Sequence, residues 1–222
     1  QPEFDFSKTE TIKNYIEGCI EKAGNDAINL VGKQGGEINP GFYQNWKGDK
    51  IGYLCYTTEY APCYDKKPFL KEFIEGEITT YSEQKVRSCF TQLENDIKSK
   101  GYKFSANNFK LNTSILPDNV LIEVNYPFTI TSNTGIQIKQ DKFAKNFKSP
   151  LGRLIEVAQD LIYQAINNPL GVVNYQSYSI SKEGKFQIER HSYSDTEIYL
   201  TKLRENNYKF QFAIQTHVVP FP

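Results

Sequence analysis

"YKFSANNFKLNTSIL", residues 102–116, opens directly after Gly101, and from here the apolar residues recur every second position. The same alternation runs through "NVLIEVNYPFTIT", residues 119–131, and "GIQIKQDKFAKNF", residues 135–147. Period two is the mark of a strand with one buried face. Pro117-Asp118-Asn119 and Ser132-Asn133-Thr134-Gly135 supply turn chemistry between the three segments, so they read as an antiparallel meander.

Upstream the period is helical. Ile12, Tyr15, Ile16, Cys19, Ile20, Ala23, Ala27, Ile28 and Val31 form one stripe, behind a capping box at Ser7-Lys8-Thr9-Glu10. Gly35-Gly36 stops it. Next, "INPGFYQNWKGDKIGYLCYTT", residues 38–58, reads as a hairpin turning at Lys47-Gly48-Asp49. A second long helix is expected from Pro68 to Gly101, with a bend where Thr79, Thr80 and Ser82 cluster. A third opens at Pro150 and ends at Asn167-Asn168-Pro169. The tail reads as strands in "VVNYQSYSI", "KFQIERHSY", "EIYLTKL" and "YKFQFAIQTHVV", with a turn at Asn206-Asn207. Segregated helices and antiparallel strands define an α+β fold, with three main helices on one side of the sheet or sheets. One domain over residues 1–222 is expected, in a helical and hairpin part, 7–101, and a strand-rich part, 102–222.

Chemistry is sparse. Lys and Arg total 26 against 26 Asp and Glu, so no global field recruits nucleic acid or an anionic membrane. "LVGKQGGEI", residues 30–38, has the G-x-x-G spacing of a nucleic-acid clamp, but it ends a long helix and runs into Asn39-Pro40-Gly41. It reads as a glycine helix cap, with Lys33 suited to the negative end of the helix dipole. There is no G-x-S-x-G. His191 lies near Ser192, Ser194 and Asp195, an adjacency that does not make a triad. Glu72 with Glu75, and Glu156 with Asp160, read as solvated helix faces. Lys139, Lys142, Lys145 and Lys148 read as charges that protect a sheet edge. No catalytic residue, cofactor or metal site is assigned, and the balance leans against an enzyme.

Four cysteines occur with no C-x-x-C pair, and the two histidines, His191 and His217, are remote from them, which disfavours zinc. An even count favours disulfides and an oxidising compartment. Of three connectivities, Cys55–Cys63 closes a short loop and Cys19–Cys89 staples two helices, and this pairing is preferred. Asn112-Thr113-Ser114 is a glycosylation sequon. No Met occurs, not even at the start, so the chain reads as a piece of something longer.

The segments "IKNYIEGCIEKAGNDAINLVGKQGGEI", "PFLKEFIEGEITTYSEQKVRSCF", "LIEVNYPFTIT" and "FKSPLGRLIEVAQDLI" resemble, in that order, a group of uncharacterised archaeal proteins. Those proteins carry one N-terminal membrane anchor and an extracytoplasmic domain. The resemblance implies a cell-surface ectodomain whose anchor is missing here. It implies no activity.

The expected role is a surface-tethered binding domain for an envelope protein or glycan, with no nucleic-acid partner and with membrane contact only through the missing anchor. Phe42, Tyr43, Trp46, Tyr56, Tyr60 and Tyr64 are the candidate contact residues, because they are aromatic and flanked by turns. Packing of these rings on the first helix is the competing account. An enzyme acting on envelope material and a self-assembling subunit are the alternatives.

Overall fold

The structure, a computed structural model, describes residues 8–218. The chain forms two compact units. The first draws on the chain up to Ala27, on Ile78–Ser114 and on Leu121–Phe147. The second draws on Ile28–Glu77, Ile115–Val120 and the chain from Lys148. The division does not follow the change of period after Gly101, because both units take residues from each side of it.

Helix α1, Thr9–Lys33, and helix α2, Leu70–Ser99, contribute residues to both units. The capping box expected at the start of α1 falls on Ser7, outside the described residues. Helix α2 begins two residues after Pro68 and continues unbroken through residues 79–82. Helix α3 is Leu151–Asn167, and its apolar stripe from Leu151 to Ala165 is buried.

In the first unit, β4 (Lys103–Ala106), β5 (Lys110–Ile115) and β7 (Gln137–Lys148) all pair with β6 (Asn119–Thr131). The first of the three alternating segments is therefore two strands. Asn107 and Asn108 interrupt it; the Asn107 amide still donates to Pro127 O at 2.9 Å in the β4–β6 register, but Pro127 has no N–H to return and the ladder ends there. Phe90 of α2 meets the rings of Phe109, Tyr126, Phe128 and Phe143 at 4.6–6.1 Å between centroids, a cluster of sheet aromatics under the helix. Cys19 and Cys89 are joined in this unit, α1 to α2.

The second unit carries a six-stranded sheet. Strands β1 (Tyr43–Trp46), β2 (Asp49–Tyr56), β10 (Lys209–Gln215), β9 (Thr196–Leu203) and β8 (Phe186–Tyr193) lie in that order, and β3 (Tyr64–Asp65) pairs with β2. The β1–β2 turn has Lys47 at φ 50° and Gly48 at φ 90°, the twisted two-residue hairpin that Lys-Gly-Asp promised. Cys55 and Cys63 are joined, tying β2 to the loop that follows. Two bridges fit an oxidising compartment. Among the described residues no helix is long and apolar enough to cross a membrane.

One feature corrects the sequence reading. "VVNYQSYSI" is not a strand: Tyr175–Ser181 is helix α4, started by Asn174, whose side-chain oxygen accepts from Ser177 N at 3.1 Å. Local capping outweighs the β-propensity of its tyrosines. Strands β10 and β2 run parallel from Ala213 opposite Tyr53, whereas β1 with β2, β2 with β3, β4 with β6, β8 with β9 and β9 with β10 are antiparallel.

Candidate functional site

"LVGKQGGEI" turns out to be structural in a way that spacing could not reveal. Gly36 N donates to Val31 O at 2.8 Å across the helix end, with Gly35 at φ 73° and Gly36 at φ 87°, a double-glycine cap. β2 and β10 pair only from Tyr53 onward. Ahead of that point α1's end takes over the polar groups. Gly52 N donates to Gln34 O at 3.2 Å, and a Cβ on Gly35 would meet Gly52 O at 2.7 Å. Gln211 of β10 donates from Nε2 to Lys33 O at 2.7 Å and to Asp49 Oδ2 at 3.0 Å. Tyr208 donates its hydroxyl to Ile28 O at 2.7 Å, and burial pushes that phenol's pKa up. The helix end is thus wedged into the mouth between two diverging strands.

Beside this wedge lies a pocket of about 410 Å³, within the usual range of about 300–1,000 Å³ for small-molecule sites. Asn29, Gly32 and Lys33 form one wall, Trp46, Lys47 and Asp49 another, and Glu189, Asn207, Lys209 and Gln211 are among the rest. Lys47 Nζ sits 4.3 Å above the Trp46 ring, and His191 lies 4.9 Å from it between centroids.

The same sheet carries an aromatic surface. Ile51, Tyr53, Ile198 and Ala213 form a buried cluster built from strand residues alone, with Trp46 and Tyr56 packed against it. Phe42, 46% exposed, lies 4.8 Å from Tyr53 and 4.6 Å from Tyr56 between centroids. Tyr53 and Tyr56 are 5.0 Å apart. The Tyr53 hydroxyl is shared with Thr196 Oγ1 at 2.8 Å and reaches Gln44 Oε1 at 3.3 Å. Burial raises the Tyr53 pKa, against the lowering effect of the Thr196 bond. The layer is pinned by hydrogen bonds as well as by packing.

Of the expected contact residues, Phe42, Trp46 and Tyr56 meet on this surface. Their packing partners are strand residues and one another, and Trp46 alone shares a pocket wall with α1. Tyr43 alternates with Gln44 along β1 and carries Lys50 Nζ at 4.9 Å. Tyr60 and Tyr64 are well exposed, and Tyr60 leans edge-on to His217 at 5.6 Å. The sequence reading missed Tyr53 and Gln211. Tyr53's place two residues after Ile51 in a strand was the available signal. Gln211 had none. Asn112 is exposed on β5, with Thr113 of its sequon buried.

Other candidates are accounted for by structural contacts. Ser192 Oγ donates to Glu197 at 2.9 Å, away from any His–Ser pair. Glu75 accepts from Ile115 N at 2.7 Å, and Asp160 accepts from the Tyr178 hydroxyl at 2.6 Å. Lys145 pairs with Glu21 at 2.9 Å, while Lys139, Lys142 and Lys148 are exposed. Among the described residues no three His, Cys, Asp or Glu side chains converge as metal ligands. No family model, curated protein or solved structure matches the chain.

Proposed function

We propose that this chain is the extracytoplasmic part of a surface-tethered binding protein, and that it meets an envelope protein or glycan through Phe42, Trp46 and Tyr56, with the buried Tyr53 as the floor beneath them. The observation that carries the reading is the strand-built aromatic layer: three rings within 5.0 Å of one another, Phe42 outermost and partly in solvent. Rigid rings with a polar tip give contact area at small entropy cost. The two disulfides support an oxidising setting. The tether rests on the resemblance to anchored archaeal ectodomains.

The test is a binding titration of the purified domain against native envelope fragments, wild type beside Phe42→Ala. Phe42 is exposed enough for the variant to keep its fold. A loss of about tenfold in affinity at unchanged melting temperature is expected, the effect of truncating one aromatic anchor. Equal binding by the two proteins would refute the contact surface.

A further inference from the structure

We infer that the pocket between Trp46 and the end of α1 binds a hexuronate, the acidic pyranose of an anionic glycan, with its carboxylate held by Lys33, Lys47 and Lys209. This deepens the binding reading above and rests on it for the biological setting.

Charge comes first. Three lysines and two carboxylates line the pocket, a net single positive charge. The carboxylates are engaged. Asp49 accepts from Gln211 at 3.0 Å, and Glu189 accepts from Gln187 at 3.0 Å and lies 3.5 Å from His191 Nε2. The lysines are not: among the described residues no carboxylate pairs with Lys33, Lys47 or Lys209, and Lys47 rests on the Trp46 ring. Hydrogen-bonded acids and ammoniums without an ion-pair partner leave an excess of one positive charge for an anion.

Hydroxyl recognition comes second. Asn29, Asn207 and Gln211 line the same space, and amides donate to and accept from vicinal hydroxyls. Gln211 is the most committed of them. It is 6% exposed, and its Nε2 protons are spent on Lys33 O and Asp49. Its Oε1 accepts no hydrogen bond among the described residues, and Gln211 lines the pocket. That is a fixed acceptor waiting for an O–H. A dense dianion such as phosphate would satisfy the lysines but would meet Asp49, Glu189 and this acceptor unfavourably. A polyol with one carboxylate matches the lysines, the amides and the two acids. Trp46 supplies the apolar wall for the ring's C–H face once Lys47 turns from the indole to the ligand.

Trp46 is the only tryptophan in the chain, so its fluorescence reports this pocket directly. D-Glucuronate and a short oligoglucuronide are titrated against the disulfide-intact protein, with D-glucose, acetate and inorganic phosphate as controls. A saturable change in Trp46 emission with glucuronate or the oligomer is expected, absent with glucose, and weakened about tenfold in Lys209→Gln, an exposed position that leaves the fold alone. Saturation by the oligomer alone assigns the pocket to glycan chains rather than to the free sugar acid. No response to either, equal affinity for glucose, or the same response to acetate or phosphate overturns the inference. Should glucuronate fail while Phe42→Ala still lowers binding to envelope fragments, the pocket assignment falls and the contact surface stands. Should both fail, both readings fall.

Discussion

Three glycines in α1 should respond to the same substitution with opposite signs. Gly18, Gly24 and Gly32 all lie inside Thr9–Lys33, and helix propensity alone favours Ala over Gly by about 1 kcal/mol at an interior position. At Gly18 an added Cβ meets nothing within 4 Å, so Gly18→Ala should stabilise by about 1 kcal/mol. At Gly24 it meets the Phe147 ring and Ile122 Cδ1, the latter at 2.9 Å. Both are side-chain ends that can shift, so overpacking of about 1–3 kcal/mol is partly offset and the net loss is about 1 kcal/mol. At Gly32 the Cβ meets Tyr208 Oη at 2.6 Å and Lys209 O at 2.7 Å. Lys209 O is strand backbone and cannot move without β10. Overpacking of about 3 kcal/mol, plus about 1 kcal/mol for the weakened Tyr208–Ile28 bond, outweighs the propensity gain and leaves a net loss of about 3 kcal/mol. Urea unfolding gives the comparison, as shifts in midpoint at equal slope. The expected order of midpoints is Gly18→Ala, wild type, Gly24→Ala, Gly32→Ala. A Gly32→Ala protein as stable as wild type would refute the wedge, because it would mean that α1's last turn does not press on β10.

The remaining expectations concern bridges, one exposed ion pair and one buried hydroxyl. Cys19–Cys89 spans 70 residues and Cys55–Cys63 only 8, so loop closure makes the long bridge worth about 4.4 kcal/mol and the short one about 2.5 kcal/mol. Replacing each pair by Ala and unfolding in urea measures both, and four free thiols by mass spectrometry of the unreduced protein would remove them altogether. Asp118 accepts a two-pronged hydrogen bond from Arg153, at 2.6 Å on each oxygen, which holds its pKa below the ordinary carboxylate value. A depressed acid contributes stability above its ordinary pKa and loses it as pH falls through the folded value. A carbon-detected NMR titration should therefore place Asp118 low, and in Arg153→Ala it should return upward; an unmoved midpoint contradicts the pairing. Tyr208→Phe removes the hydroxyl's bond to Ile28 O and should cost about 1 kcal/mol in a thermal melt, whereas a neutral result would show that water replaces the hydroxyl.

Local signals in the chain were readable because local physics sets them. The stripe from Ile12 to Val31, the Lys47-Gly48 turn and the Pro150 helix start each depend on residues a few positions apart, and each stands in the structure. Cysteine pairing was readable for a different reason: helical spacing put Cys19 on the apolar stripe, and Cys63 lay one loop from Cys55. The failures are non-local or finely balanced. In "VVNYQSYSI" aromatic β-formers compete with an Asn174 cap, and composition cannot weigh one hydrogen bond against propensity. The parallel β2–β10 pair joins residues about 160 positions apart, and nothing in either strand marks its direction. The pocket draws on four separated stretches, near 29–33, 46–49, 189–200 and 207–211, so no window of sequence contains it.

The G-x-x-G in "LVGKQGGEI" raised the thought of a ligand loop, and its glycines do end up beside a pocket, for another reason. A clamp uses glycines so that a ligand's backbone can approach. Here the approaching backbones belong to the protein: Gly52 O at Gly35, and Lys209 O at Gly32. That approach lets the helix end occupy the gap where β2 and β10 diverge, and the gap holds Lys33 O and Asp49 for Gln211 to bridge. Because both amide protons are consumed in holding the wedge, the acceptor left over is fixed in place. The glycines thus shape the pocket chiefly by letting the helix end approach, and Gly32 also lines it. Substitution at Gly32 should disturb the fold and the pocket together, whereas substitution at Lys209 should change binding and leave stability alone. That separation distinguishes a scaffolding glycine from a binding one.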